Sequence, residues 1–236
     1  MTDDKGGVFI SAPFALHVAQ QAYRAMDDGT PHKKPRDFSE PMTALVFSAI
    51  AVEAFLNELA EFAAGAGGVR GTDHPALKAL ADTQAEAERS RGSLRLKFQL
   101  AAISLGGSPF EKGTPPYQDF DLLVSLRDAL VHPKPVKVFF EDAGVRMQPD
   151  SLIKALAGRG LLPKADPRIG MPFHAWISPR AVSRWAINTA VACVLAVVEM
   201  LPSTLGKNDP PLLVRTDPPI ILGARQALAP HFPLRP

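Results

Sequence analysis

The most constraining feature of this chain is a stripe of six apolar residues, Leu45, Ala49, Val52, Leu56, Leu59 and Ala63, spaced by alternating steps of four and three. That rhythm holds all six on one side of an α-helix, and it is the rhythm of helices packed into bundles. Ser39 stands where an N-cap belongs, and Pro41 is tolerated in a first helical turn. The glycines Gly65, Gly67 and Gly68 predict the end of the helix. They follow a helix instead of joining a strand to one, so they read as a connection and not as a phosphate cradle.

The rest of the chain repeats the helical pattern. Leu16, Ala19, Tyr23 and Met26 place a helix over residues 13–27, and a polar helical region spans 73–90. Glu86, Glu88, Arg89 and Arg91 give that region a solvated face. Residues 93–105 carry Leu94, Phe98, Ala101 and Leu105 on one face and Leu96, Leu100 and Ile103 on another, which predicts a helix packed between neighbours. A further helix begins near Asp119. After Pro133 the period changes to two: Val136, Val138 and Phe140 lead to a turn at Asp142-Ala143-Gly144, and Val145 and Met147 return. A short helix covers about 151–157. Ser178-Pro179 opens the last long helix, whose core face is Val182, Trp185, Ala186, Thr189, Cys193, Val197 and Leu201. In the tail, DPPLLV from Asp209 recurs as DPPIIL from Asp217, two matches that suit extended Pro-rich strands and not a solenoid. The expected fold class is all-α: an up-and-down helical bundle over 1–205, with a small β-hairpin insertion at about 135–148 and an extended Pro-rich C-terminal arm over 206–236.

Composition narrows the function classes. With 46% hydrophobic and 21% charged residues, the chain is that of a globular protein. The net charge of +2 carries no global basic field, so any nucleic-acid site must be local. One cysteine, Cys193, excludes a disulfide framework and suits a reducing compartment. The six histidines are scattered without zinc-site spacing, and neither a metal nor another cofactor is expected. The start, MTDDKGGVF, lacks the pattern of a signal peptide. The run TAVACVLAVV is about half the roughly twenty residues that a membrane span needs. A cytoplasmic location with no membrane association is the expectation. No Ser-His-Asp set, Walker loop, Rossmann loop or paired-carboxylate motif stands out.

The chemistry of interest lies in LVSLRDALVHPKP, residues 123–135, where Arg127 and His132 sit five positions apart ahead of Pro133. Histidine exchanges protons near neutrality, and the planar fork of arginine fits phosphate. Together they suit metal-free cleavage of RNA. In that reaction the 2′-hydroxyl attacks the neighbouring phosphorus and the 5′-oxygen leaves; His132 moves the proton and Arg127 stabilises the phosphoryl charge. Five residues turn an ideal helix by about 500°, which leaves the two side chains about 140° apart. Pro133 pushes His132 off helical angles and so gives it a way to swing toward Arg127. The plain structural alternative is that Arg127 pairs with Asp128 or Glu53 while His132 finishes the helix.

The stretch LRDALVH resembles the signature of the HEPN superfamily: Arg, four to six residues, then His, often with a polar residue directly after the Arg. SAIAVEAFLNEL (48–59) is similar to a second-helix pattern in HEPN-like bacterial proteins, with Glu53 and Asn57 four apart. The resemblance implies a homodimeric, metal-independent endoribonuclease of toxin–antitoxin or abortive-infection type, with RNA as substrate and an antitoxin as a possible partner. It implies Arg127 on the scissile phosphate, His132 as general acid/base, Asp128 orienting one of them, and Glu53 and Asn57 in support. Lys134 and Lys137 are the candidate RNA-binding residues; the cluster at Lys33, Lys34 and Arg36 reads as solvated loop charge. Lys134 also stands where one toxin class carries Tyr, so the likeness does not extend to that class. The same resemblance allows a catalytically inactive helical module that binds nucleotide, RNA or a protein partner.

Overall fold

A computed structural model describes residues 11–26, 39–69, 74–133, 138–141, 144–147, 151–162 and 173–201. Among the described residues eight helices and two short strands follow one another: α1 (Ala12–Ala25), α2 (Ser39–Val69), α3 (Pro75–Arg89), α4 (Leu94–Gly106), α5 (Tyr117–Val131), β1 (Val138–Glu141), β2 (Gly144–Met147), α6 (Ser151–Gly158), α7 (Phe173–Trp176) and α8 (Arg180–Glu199). The described part is predominantly helical, an all-α bundle. β1 and β2 pair antiparallel, with Val138 opposite Met147 and Glu141 opposite Gly144. The C-terminal arm, 206–236, lies outside the described residues.

The centre of the bundle is α2, against which α1, α3, α4, α5 and α8 pack. All six residues of its stripe are buried, as the four-three rhythm demands. The glycines at 65, 67 and 68 do not end it; the backbone stays helical to Val69. Each glycine weakens a helix by about 1 kcal/mol relative to alanine, which is a cost and not a block. Around α2 the core of the described residues divides into two large clusters and a small one formed by Ala19 and Ile187. One large cluster gathers Val52, Leu56, Leu59, Leu77, Leu80, Phe98, Phe120, Cys193 and Val197; the other gathers Leu45, Ala49, Leu123, Leu126, Leu156, Ile177, Val182 and Ala186. Both α2 and α8 are long and apolar enough to cross a membrane, more so than the ten-residue run in α8 implies, and half of the most apolar stretch of each is buried within the bundle.

Two local devices position α4. The α3–α4 turn passes through Arg91 in the left-handed region (φ 54°), and the Gly92 N–H donates to the Ala87 carbonyl at 2.7 Å. Ser93 then caps α4, its Oγ accepting from the Leu96 N–H. Leu94, Phe98 and Ala101 are buried, as their spacing predicts. The second apolar face is a correction: Leu96 and Ile103 are each 43% exposed. α4 lies on the outside of the bundle. Its flanks are held to α3 and α5 by the polar residues Lys97 and Arg95, which leaves the third side to solvent.

Candidate active site around Arg127

The last turns of α5 carry the motif. Phe120, Leu123, Val124 and Leu126 anchor this helix in both core clusters. That packing points Arg127 toward α2 and sets Asp121, Ser125 and Asp128, spaced by four and three, toward α4. Asp119 in the first turn accepts from Arg159 Nε at 2.8 Å, just past the end of α6.

Arg127 is held by two carboxylates. Its Nη2 donates to Glu53 Oε2 at 3.0 Å, and its Nη1 lies 3.2 Å from Asp128 Oδ1. Its Nε is buried without a partner, while the side chain as a whole keeps 22% exposure. The pairings of Arg127 with Glu53, across 74 positions of sequence, and with Asp128 are those of the plain structural alternative. Asp128 is shared: its Oδ2 lies 3.7 Å from Arg95 Nη1. Arg95 in turn bonds the Asp121 carboxylate through Nε, and its Nη2 donates to the Asp121 carbonyl at 3.1 Å and to Ser125 Oγ at 2.6 Å. Two arginines against Glu53, Asp121 and Asp128 give a formal charge of 2 − 3 = −1 for the network.

His132 ends α5. Its N–H donates to the Asp128 carbonyl at 2.8 Å, and its backbone turns to φ −124°, ψ 67°, out of the helical region as the following proline requires. The residue is exposed, and among the described residues no hydrogen bond or ion pair holds its imidazole.

Asn57 goes elsewhere. It is exposed, and its Oδ1 accepts from Lys97 Nζ at 3.1 Å, so it supports α4 and not Arg127. Lys97 is a buried lysine of α4 that also bonds Glu88. Of the helix face read as solvated, Glu86 and Arg89 form an exposed pair at 2.7 Å, and Glu88 reaches Lys97 while its own side chain stays 60% exposed. Lys134, Lys137 and the 33–36 cluster lie outside the described residues. Among the described residues no three His, Cys, Asp or Glu side chains gather in a way that could hold a metal ion. Arg95, Lys97, Asp121 and Ser125 are the members of this region that sequence reasoning missed. The spacing of Asp121, Ser125 and Asp128 was the available signal.

Comparison with known proteins finds no match among family models, curated proteins or solved structures. The reading of the site therefore rests on its own geometry.

Chemically, the site offers one exposed imidazole at a helix end and one partly buried guanidinium five positions back. An anion at Arg127 must compete with Glu53 and Asp128. The Arg127–Glu53 pair is only half-buried, so it is worth about 0–1 kcal/mol and can be opened by a phosphate that offers two acceptor oxygens.

Proposed function

We propose that the chain is a metal-independent endoribonuclease of HEPN type. The observation that carries this reading is the end of α5: His132 leaves the helix exposed, one turn beyond a partly exposed Arg127. In the reaction, the 2′-oxygen forms a bond to phosphorus as the bond from phosphorus to the 5′-oxygen breaks. His132 takes the 2′-hydroxyl proton or delivers one to the departing 5′-oxygen. Arg127 exchanges its carboxylate partners for the phosphoryl oxygens, and Asp128 orients the guanidinium before the phosphate arrives. The ends produced are a 2′,3′-cyclic phosphate and a 5′-hydroxyl.

The wider proposal is a cytoplasmic homodimer acting in defence or stress response. Its two motifs share a cleft, Lys134 and Lys137 contact RNA phosphates, and an antitoxin restrains it. The hairpin and the Pro-rich arm are appendages of the bundle in this reading. A second reading is favoured by one feature, the double carboxylate grip on Arg127: a catalytically inactive module that binds nucleotide, RNA or a protein partner.

Incubation of labelled RNA with purified protein in EDTA, followed by identification of the product ends, separates the two. Cyclic-phosphate ends are expected from the wild type. His132→Ala and Arg127→Ala are each expected to lower the rate by about 10²-fold or more. Equal cleavage by all three proteins, or none by the wild type across several RNAs, would sink the nuclease reading.

A further inference from the structure

We infer that Arg95 is a positioning residue for this site: by drawing on the charge of Asp128 it leaves Arg127 able to accept a phosphate. The inference rests on the reading of Arg127 as a phosphate-binding group. Arg95 belongs to α4, outside the sequence motif, yet its guanidinium reaches one face of α5 along two turns. Nε bonds the Asp121 carboxylate; Nη2 donates to the Asp121 carbonyl at 3.1 Å and to Ser125 Oγ at 2.6 Å. Ser125 Oγ donates in turn to the Asp121 carbonyl at 2.8 Å, so the acceptor side of the clasp is itself fixed. The remaining nitrogen, Nη1, is left toward Asp128 Oδ2 at 3.7 Å.

Asp128 is thus divided, with one oxygen toward Arg95 and the other on Arg127. This matters because the network carries a formal charge of −1, which repels a phosphate. Removal of the Arg95 charge makes it −2 and leaves Arg127 as the sole guanidinium partner of Asp128. Asp128 then closes on Arg127 and competes with the incoming anion. With Arg95 in place, Asp128 keeps a cation when Arg127 turns to the phosphate, and the cost of that exchange falls.

The test is binding, so it does not depend on catalysis. A fluorescein-labelled, 2′-O-methylated RNA oligonucleotide that cannot be cleaved is titrated with the full chain, read by anisotropy. Arg95→Gln is expected to weaken binding about tenfold relative to wild type. The double variant Arg95→Gln/Asp128→Asn is expected to restore it, because the competing carboxylate is gone, and Arg95→Lys to restore it in part. Wild-type affinity in Arg95→Gln would overturn the inference and leave the phosphate reading standing. Weakened binding that Asp128→Asn fails to restore would also overturn it, since Arg95 would then act through the fold or by touching RNA. Absence of binding by the wild type would remove both. Thermal melts establish that each variant is folded. Asp128→Asn alone leaves the other contacts of Arg95 intact and is expected to bind more tightly than wild type; unchanged or weaker binding overturns the inference even where Arg95→Gln does not fold.

Discussion

Cys193 is fully buried in α8, and burial, with the charge of Asp119 adding to it, pushes its thiol far above the ordinary range. The consequence for stability has a definite sign. In the unfolded chain the thiol ionises near pH 8.5, while in the folded chain it keeps its proton. Above that pH the unfolded state binds fewer protons, so stability is intact below about pH 8.5 and declines as pH rises. The decline is at most about 1.4 kcal/mol per pH unit from this group. Urea melts between pH 8 and 10 should show a steeper loss in wild type than in Cys193→Ala. Parallel curves would assign the loss to other groups. Legibility at this scale was uneven. A buried thiol in an apolar run and an Arg127–Glu53 pair could be read because each follows from one helix face meeting another. The Arg95 clasp could not. Asp121, Ser125 and Asp128 form a polar stripe of the kind that usually faces water, and only the placement of α4 beside α5 gives it Arg95 as a partner. For the same reason Asn57, one turn from Glu53, serves Lys97 instead of the arginine.

At the level of elements, α2 and α4 show what periodicity does and does not convey. A stripe with four-three spacing states which residues are buried together, and in α2 each of them is. Two apolar faces on one helix state only that both are apolar. Whether the second is covered depends on where neighbouring helices stop, and α4 has polar clasps on its flanks and solvent beyond. The contrast is measurable. Leu59, 2% exposed and fifth of the six stripe residues, should cost about 2–5 kcal/mol when replaced by alanine, from lost burial and the cavity left behind. Ile103→Ser on the open face of α4 should change stability by no more than about 0.5 kcal/mol. Denaturant melts of both variants check the pair. A loss of several kcal/mol in Ile103→Ser would mean that this face is covered in solution.

The molecule as a whole is held by helices that belong to both large core clusters. α2 contributes Leu45 and Ala49 to one and Val52, Leu56 and Leu59 to the other; α5 divides between Leu123 and Leu126 on one side and Phe120 and Val124 on the other; α8 divides between Val182 and Ala186 and then Ala190, Cys193 and Val197. Melting one cluster alone would break three helices in mid-length, exposing backbone groups and half a stripe of each. Glu53 and Arg127 stand beside that junction, each following in sequence a residue of the core, Val52 and Leu126. The two clusters should therefore unfold together. The tryptophans make this testable, because Trp176 and Trp185 both pack against the second cluster only. Their fluorescence reports that half, whereas far-ultraviolet circular dichroism reports every helix. The two signals should give one midpoint and one slope in urea, and Leu59→Ala, in the first cluster, should shift the tryptophan midpoint as far as it shifts the helical signal. A tryptophan transition that ignores Leu59→Ala would show two independent units, and the ion pair between α2 and α5 would then sit at a hinge and not in the interior of one cooperative body.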